Sequence, residues 1–337
     1  MSVVVPVRAH ARRRSGLVAG GLCLLVLTGA AVALTTGEFP LAPAQVWGVL
    51  TGGGAPVEQY VVLQVRLPRL TMALLVGAAL GTAGAILQSL LRNPLASPEL
   101  LGISGGASAA AVFALLILGV TGPALPMIAF AGGLAASLLL LAAARGRAAG
   151  YRLILAGVGL AFFTAALVGF LLTKARLQQT QSALIWLTGT LSSTPWWQVG
   201  VLAVVWLLAL PALFVVGRWL PILALGPDAA AGLGVRPGPA RIVCVVIAVL
   251  LTAVTCAFAG PIAFVALCAP AIARPLVGHG AAALASSALV GAVLLTFADL
   301  LAQFALPGVA MPVGVVTGAL GAVFLLWLLA TSKGRSL

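Results

Sequence analysis

The chain has 337 residues, of which 62% are hydrophobic and only 7% charged, with a formal charge of +13 and a mean hydropathy of +1.22. Soluble domains carry roughly a quarter charged residues, so a water-soluble fold is excluded. A nucleic-acid binder is excluded too, because the basic residues are scattered over loops and no soluble basic domain carries them. About 20 apolar residues cross a bilayer as a helix, which makes the chain an all-α polytopic membrane protein of about ten spans. Its residues 1–337 read as one membrane domain behind a short N-terminal tail, residues 1–15.

In that tail, Arg8, Arg12, Arg13 and Arg14 precede an apolar run from Leu17 to Leu34. Ala31-Val32-Ala33 offers a small-x-small cleavage site, but the run is long and the chain stays apolar beyond it. It reads as an uncleaved first span with the N-terminus in the cytoplasm. An external loop follows over residues 37–61, with a short helix near Gln45–Leu50.

The stretch from Arg66 to Ala107 is a helical hairpin, with spans at about 62–91 and 100–119. Gly77, Gly81 and Gly84 fall on one face of the first helix, where another helix can come close. Arg66 and Arg69 stand at its start, and Pro68 between them predicts a stiff, non-helical entry. Gln88 interrupts the apolar run near its end. The turn then reads Arg92-Asn93-Pro94, then Ser97-Pro98-Glu99, before Gly102 and Gly106 open the next span. Glu99 sits where a carboxylate caps the start of that helix.

Further spans are expected at about 124–144, 152–172, 199–216, 240–258, 263–278, 283–304 and 312–330. Residues 183–191, with Trp186, are too short to cross and read as an interfacial or re-entrant helix on the outside. The longest inside loop, 218–241, contains LALGPDAAAGLGV and a short helix at about 227–233, begun by Pro227. Ala259-Gly260-Pro261 makes a tight turn. Of the 18 lysines and arginines, this topology leaves only Arg66, Arg69, Lys174 and Arg176 outside, as cytoplasmic retention of basic loops requires.

Chemistry is sparse. No phosphate-binding G-x-x-x-x-G-K-[ST] loop occurs, so the chain is not its own ATPase. No nucleophilic triad, carboxylate pair or metal cluster is visible. Cys23, Cys244, Cys256 and Cys268 lie in apolar runs without a C-x-x-C and read as small buried hydrophobes. The two intramembrane acids are Glu99 and Asp299. Asp299 is expected to bond backbone or hydroxyl groups of a neighbouring helix. The alternative is a proton relay in a secondary transporter, a reading weakened by the lack of any obvious inverted repeat.

An ordered set of residues resembles one family. Arg66, Pro68, Arg69, Gln88, Asn93, Pro94, Leu95, Ala96, Pro98, Leu101, Gly102, Gly106 and Ala107 match the pattern R-x-P-R, a span ending in Gln, then N-P-L-A-x-P-x-x-L-G-x-x-x-G-A. It is similar to the permeases of bacterial ABC importers for ferric siderophores, haem and cobalamin, the FecCD type. Ala259–Leu267 with Gly260 and Pro261, then Pro270, Arg274, Gly278, Asp299, Pro312, Val313 and Gly314 extend the likeness over nearly the whole chain.

The resemblance implies a passive conduit in the bacterial inner membrane, with both termini cytoplasmic and no cofactor of its own; ATP and magnesium belong to two partner ATPase subunits. It implies that Leu225, Gly226, Asp228, Ala231, Leu233 and Gly234 form a coupling helix and its flanks. Arg66 and Arg69 would dock the extracytoplasmic binding protein, and Gly150 and Tyr151 would narrow the inner end of the pathway, Tyr151 either as a plug or as an interfacial aromatic belt residue. Ferric siderophore is the expected cargo, with haem or cobalamin as alternatives. Three departures stand out: Gln303 where a third docking arginine is usual, Ala271 for a histidine, and Ala310 with Met311 in place of Glu-Leu. Losing three polar residues is easier to tolerate if a related partner permease keeps them, so a heterodimer is expected.

Overall fold

A computed structural model describes residues 4–143, 149–278, 283–306 and 309–332, and every regular element among them is helical. In chain order α1 spans Val4–Thr35, α2 Pro43–Leu50 and α3 Pro56–Tyr60; a π-helical stretch, Val61–Arg66, then runs straight into α4, Leu67–Leu91. A 3-10 turn, Pro98–Leu101, leads to α5, Ile103–Leu116. After it come α6, Ala124–Ala143, α7, Ala149–Lys174, α8, Leu177–Thr188, α9, Trp196–Leu223, and the short α10, Pro227–Gly232. The last four are α11, Pro237–Ala259, α12, Val265–Val277, α13, Leu284–Phe304, and α14, Val313–Ser332.

Seven of the described helices are long and apolar enough to cross a membrane, and α5, α12 and α14 supply shorter apolar helices. These occupy the places of the ten expected spans. Three expectations are corrected. The entry to the second span is helical, because Pro68 sits at the second position of α4, where its missing N–H and fixed φ are tolerated. Its cost falls upstream instead. In the π register the carbonyl of Leu63 would look to the N–H of residue 68, which proline lacks, and Trp196 Nε1 of α9 donates to it at 2.8 Å. Trp196→Phe should therefore cost about 1 kcal/mol, read as a lower thermal midpoint in detergent.

The short helix expected between the fifth and sixth spans covers 177–188 rather than 183–191. Gln179 Oε1 accepts from the N–H of Arg176 at its start, and Gly189, at φ 74°, ends it. The sixth span runs to Leu223 rather than stopping near 216. Arg218 stays within it by laying its guanidinium 4.4 Å from the centre of the Phe214 ring.

The bundle is organised around α4. It is buried along most of its length and packs against α9, α11, α12 and α13, whereas α1, α7 and α9 expose most of their apolar surface. That outer shell, with Phe162, Phe163, Leu207 and Leu208 bare, suits contact with lipid or another hydrophobic subunit. Small residues set the depth of the inner packing. A Cβ on Gly77 would lie 2.3 Å from the carbonyl oxygen of Gly291, and one on Gly291 2.1 Å from that of Gly77. A Cβ on Gly84 would lie 1.7 Å from the carbonyl oxygen of Ala266, four residues before Pro270 and so robbed of its helical donor. The glycine face of the hairpin is thus the seam where α4 meets α12 and α13. Three of the four cysteines are buried as expected; Cys23 is exposed on α1.

Candidate functional site

Polar groups concentrate at the two ends of the bundle. At one end, α4 and α13 bring together residues 230 apart in sequence. Arg69 grips Asp299 with two bonds, Nε to Oδ2 and Nη2 to Oδ1, both 2.9 Å. Gln303, one helical turn further along α13, donates from Nε2 to the same Oδ2 at 2.8 Å. Asp299 is 5% exposed and Thr296, one turn before it, 2%. This corrects the expectation that Asp299 bonds backbone or hydroxyl groups of a neighbouring helix. A carboxylate taken this far out of water is held by a cation.

Arg66 is also occupied, donating from Nη1 to the carbonyl of Leu34 at 2.6 Å and from Nη2 to that of Phe39. It thereby closes the end of α1 and the loop after it over the start of α4. Arg66, Arg69, Asp299, Gln303, Thr296 and Glu38 all line a cavity of about 400 Å3 that opens at this end. The Thr296 hydroxyl is buried and makes no hydrogen bond among the described residues.

The opposite end carries the Asn-Pro turn and the loop after α9. Arg92 closes α4 in a left-handed conformation, φ 50°, and its Nη2 donates to the carbonyl of Leu223, the last residue of α9, at 3.3 Å. Asn93 Oδ1 accepts from the N–H of Leu95 at 2.9 Å, which together with Pro94 fixes the turn. Gly226, at φ 108°, then redirects the chain into α10. Within this loop Ala230 of α10 and Val235 after it turn inward; Leu225, Asp228, Ala231, Leu233 and Gly234 are exposed. Two leucines bared on either side of a six-residue helix make an apolar, knob-like projection.

Other motif residues hold helices together. Gln88 Nε2 donates to the carbonyl of Leu267 at 3.1 Å, and Arg274 Nη2 reaches Ser89 Oγ at 3.1 Å, both tying α12 to α4. Pro98 opens the 3-10 turn, Gly102 ends it at φ 65°, and Gly106 lets α5 approach α6. Gly260 and Pro261 form the turn between α11 and α12, and Pro270 lies inside α12. Glu99 does not cap α5; its Oε1 accepts from the N–H of Phe264, the residue immediately before α12, at 3.3 Å. It acts on the right kind of group on a different helix. Gly150 and Tyr151 fall in the first turn of α7 rather than before it, and the Tyr151 side chain lies outside the described residues.

Sequence reasoning missed three of these residues. Gln303 was noted only for what it replaced, and Arg92 and Thr296 were not singled out. One signal was available. A chain with five acidic residues cannot leave a buried one unpaired, and Arg66 and Arg69 were the cations placed at the same end of the bundle as Asp299.

Residues 23–331 match the FecCD transport family. The chain belongs to that family. Its permeases are membrane subunits that are not themselves ATPases. Among its relatives, the ferric enterobactin transport system permease protein FepG of Escherichia coli (strain K12) is 40% identical over 312 residues, covering 91% of this chain and 94% of that protein. The Fe(3+) dicitrate transport system permease protein FecD of the same strain is 40% identical over 92% of this chain and 98% of its own. A solved structure of a metal-chelate type ABC transporter in an inward-facing conformation superposes with a TM-score of 0.81 at 28% identity, covering 94% of this chain and 99% of that one.

Proposed function

We propose that this FecCD permease is the membrane subunit of an ATP-driven importer that passes a ferric siderophore into the bacterial cytoplasm. The observation carrying the substrate class is the near full-length likeness to permeases for ferric enterobactin and ferric dicitrate. In this reading the chain sits in the inner membrane with the Arg69 end outward and the Asp228 end in the cytoplasm, an orientation supported by the bias of basic residues toward the second end. Two permease subunits, this chain and a related partner, form the pathway. The apolar shell of α1, α7 and α9 offers surface for that partner as well as for lipid.

Two ATPase subunits would seat the projection formed by α10 with Leu225 and Leu233, and its exposure supports that role. The bond from Arg92 to the root of the loop joins the projection to α4, so a push there reaches the axis of the bundle. Both oxygens of Asp299 are taken, which supports a structural role over proton carriage. The decisive experiment is uptake of radio-iron siderophore into proteoliposomes holding both permeases and the ATPase. Uptake should require ATP and binding protein; uptake by the permease alone would overturn the proposal.

Docking of the binding protein is assigned to the cavity end. The double substitution Arg66→Glu with Arg69→Glu should weaken binding-protein affinity by more than about tenfold at low salt, because it reverses two charges facing an acidic partner. Surface plasmon resonance on nanodiscs measures it, and unchanged affinity would refute the assignment.

A further inference from the structure

The outer-end cavity has an unusual charge balance. It holds Arg69, one of the two arginines assigned to docking, yet that arginine is already neutralised by Asp299 of the same chain through two bonds of 2.9 Å. Gln303 completes the cluster with a neutral donor at 2.8 Å, so no second cation shares the aspartate. Arg66 spends two N–H groups on the carbonyls of Leu34 and Phe39. A guanidinium has five N–H donors, and the two bonds to Asp299 use only the Nε–Nη2 edge. Arg69 and Thr296 line the cavity, and the buried Thr296 hydroxyl has no partner among the described residues. The cavity therefore offers unspent donors and room for a side chain, but little net positive potential.

We infer that Asp299 is an internal competitor that weakens docking: an acidic side chain of the binding protein entering this cavity must share Arg69 with Asp299 or displace it. The inference rests on the docking role proposed above. Docking is then held loose by construction. The partner gains short charge-assisted bonds only as far as it takes them from Asp299, and when it leaves, Asp299 closes on Arg69 again and no buried charge is left unpaired. A carrier that must deliver its load and depart gains from such a return path.

The test adds one positive charge to the cluster in two ways. Asp299→Asn removes the competitor; Gln303→Arg leaves it in place and gives it a second cation, freeing Arg69. Each variant, in nanodiscs with its partner permease and ATPase, is titrated with the binding protein encoded beside this permease. Both should bind it about threefold to tenfold more tightly at low salt, and the gain should vanish at roughly 0.5 M salt. Tightening by Gln303→Arg alone, with a folded Asp299→Asn that binds no better than the parent, would make Asp299 an aid to docking and overturn the inference. If Asp299→Asn does not fold, Asp299→Ser takes its place as the variant without the competing carboxylate, and no tightening by it overturns the inference. The double charge reversal separates the two levels. If it weakens docking while neither single variant tightens it, only the competitor role fails; if it too changes nothing, the docking assignment fails with it.

Discussion

Replacing Ala231 with glutamate should leave the assembled transporter hydrolysing ATP while transport per ATP falls by more than about tenfold. Ala231 is exposed on α10, between the bared leucines 225 and 233. If that projection seats in a cleft of an ATPase subunit, a carboxylate there is buried without a partner. That penalty is worth more than the roughly 1.4 kcal/mol that a tenfold change requires. On the proposed reading the nucleotide sites lie on other subunits and would keep working, but the grip that transmits their motion would be lost. Paired assays of phosphate release and iron uptake in one proteoliposome preparation measure the ratio. Normal coupling would remove α10 from the interface.

Gly84→Ala should be more damaging to the fold than its single methyl suggests. The new Cβ would sit 1.7 Å from the Ala266 carbonyl oxygen; a Cβ is fixed directly by its own backbone and the oxygen belongs to another, so neither can swing aside. Relief requires α4 and α12 to separate, which costs packing along the whole seam, about 3 kcal/mol or more. Gly200→Ala is the control. A Cβ there on α9 meets nothing within 4 Å, so it should be neutral or slightly stabilising through helix propensity. Monodisperse yield and thermal midpoint in detergent should separate the two variants clearly. Equal behaviour would show that the seam opens in the native protein.

These two substitutions mark what could be read before the fold was known. The spans were legible because hydropathy reports the bilayer directly, and the glycine face of α4 because its spacing repeats on one side of a helix. The projection around α10 was visible as a proline start and glycine end around small residues. The partners of those features were not. Nothing local to Asp299 points to Arg69, and nothing local to Glu99 points to the N–H of Phe264, since each bond spans two helices far apart in the chain. Pro68 misled for a similar reason. Its local effect is real, but it surfaces as a freed carbonyl on Leu63, and the group that answers it, Trp196, lies on another helix. Helix ends were displaced wherever a side chain supplied a cap or kept a charge comfortable inside a span, as Gln179 and Arg218 do.

The order in which the chain is made adds a burden to the α4 seam. Arg69 leaves the ribosome 230 residues before Asp299, which at about 5–20 residues per second is a wait of roughly 10–45 s. Through that interval the helix at the heart of the finished bundle stands in the lipid with its glycine face bare and a cation unanswered. Maturation must finish after α13 emerges, so nascent chains stalled before it are natural substrates for membrane quality control.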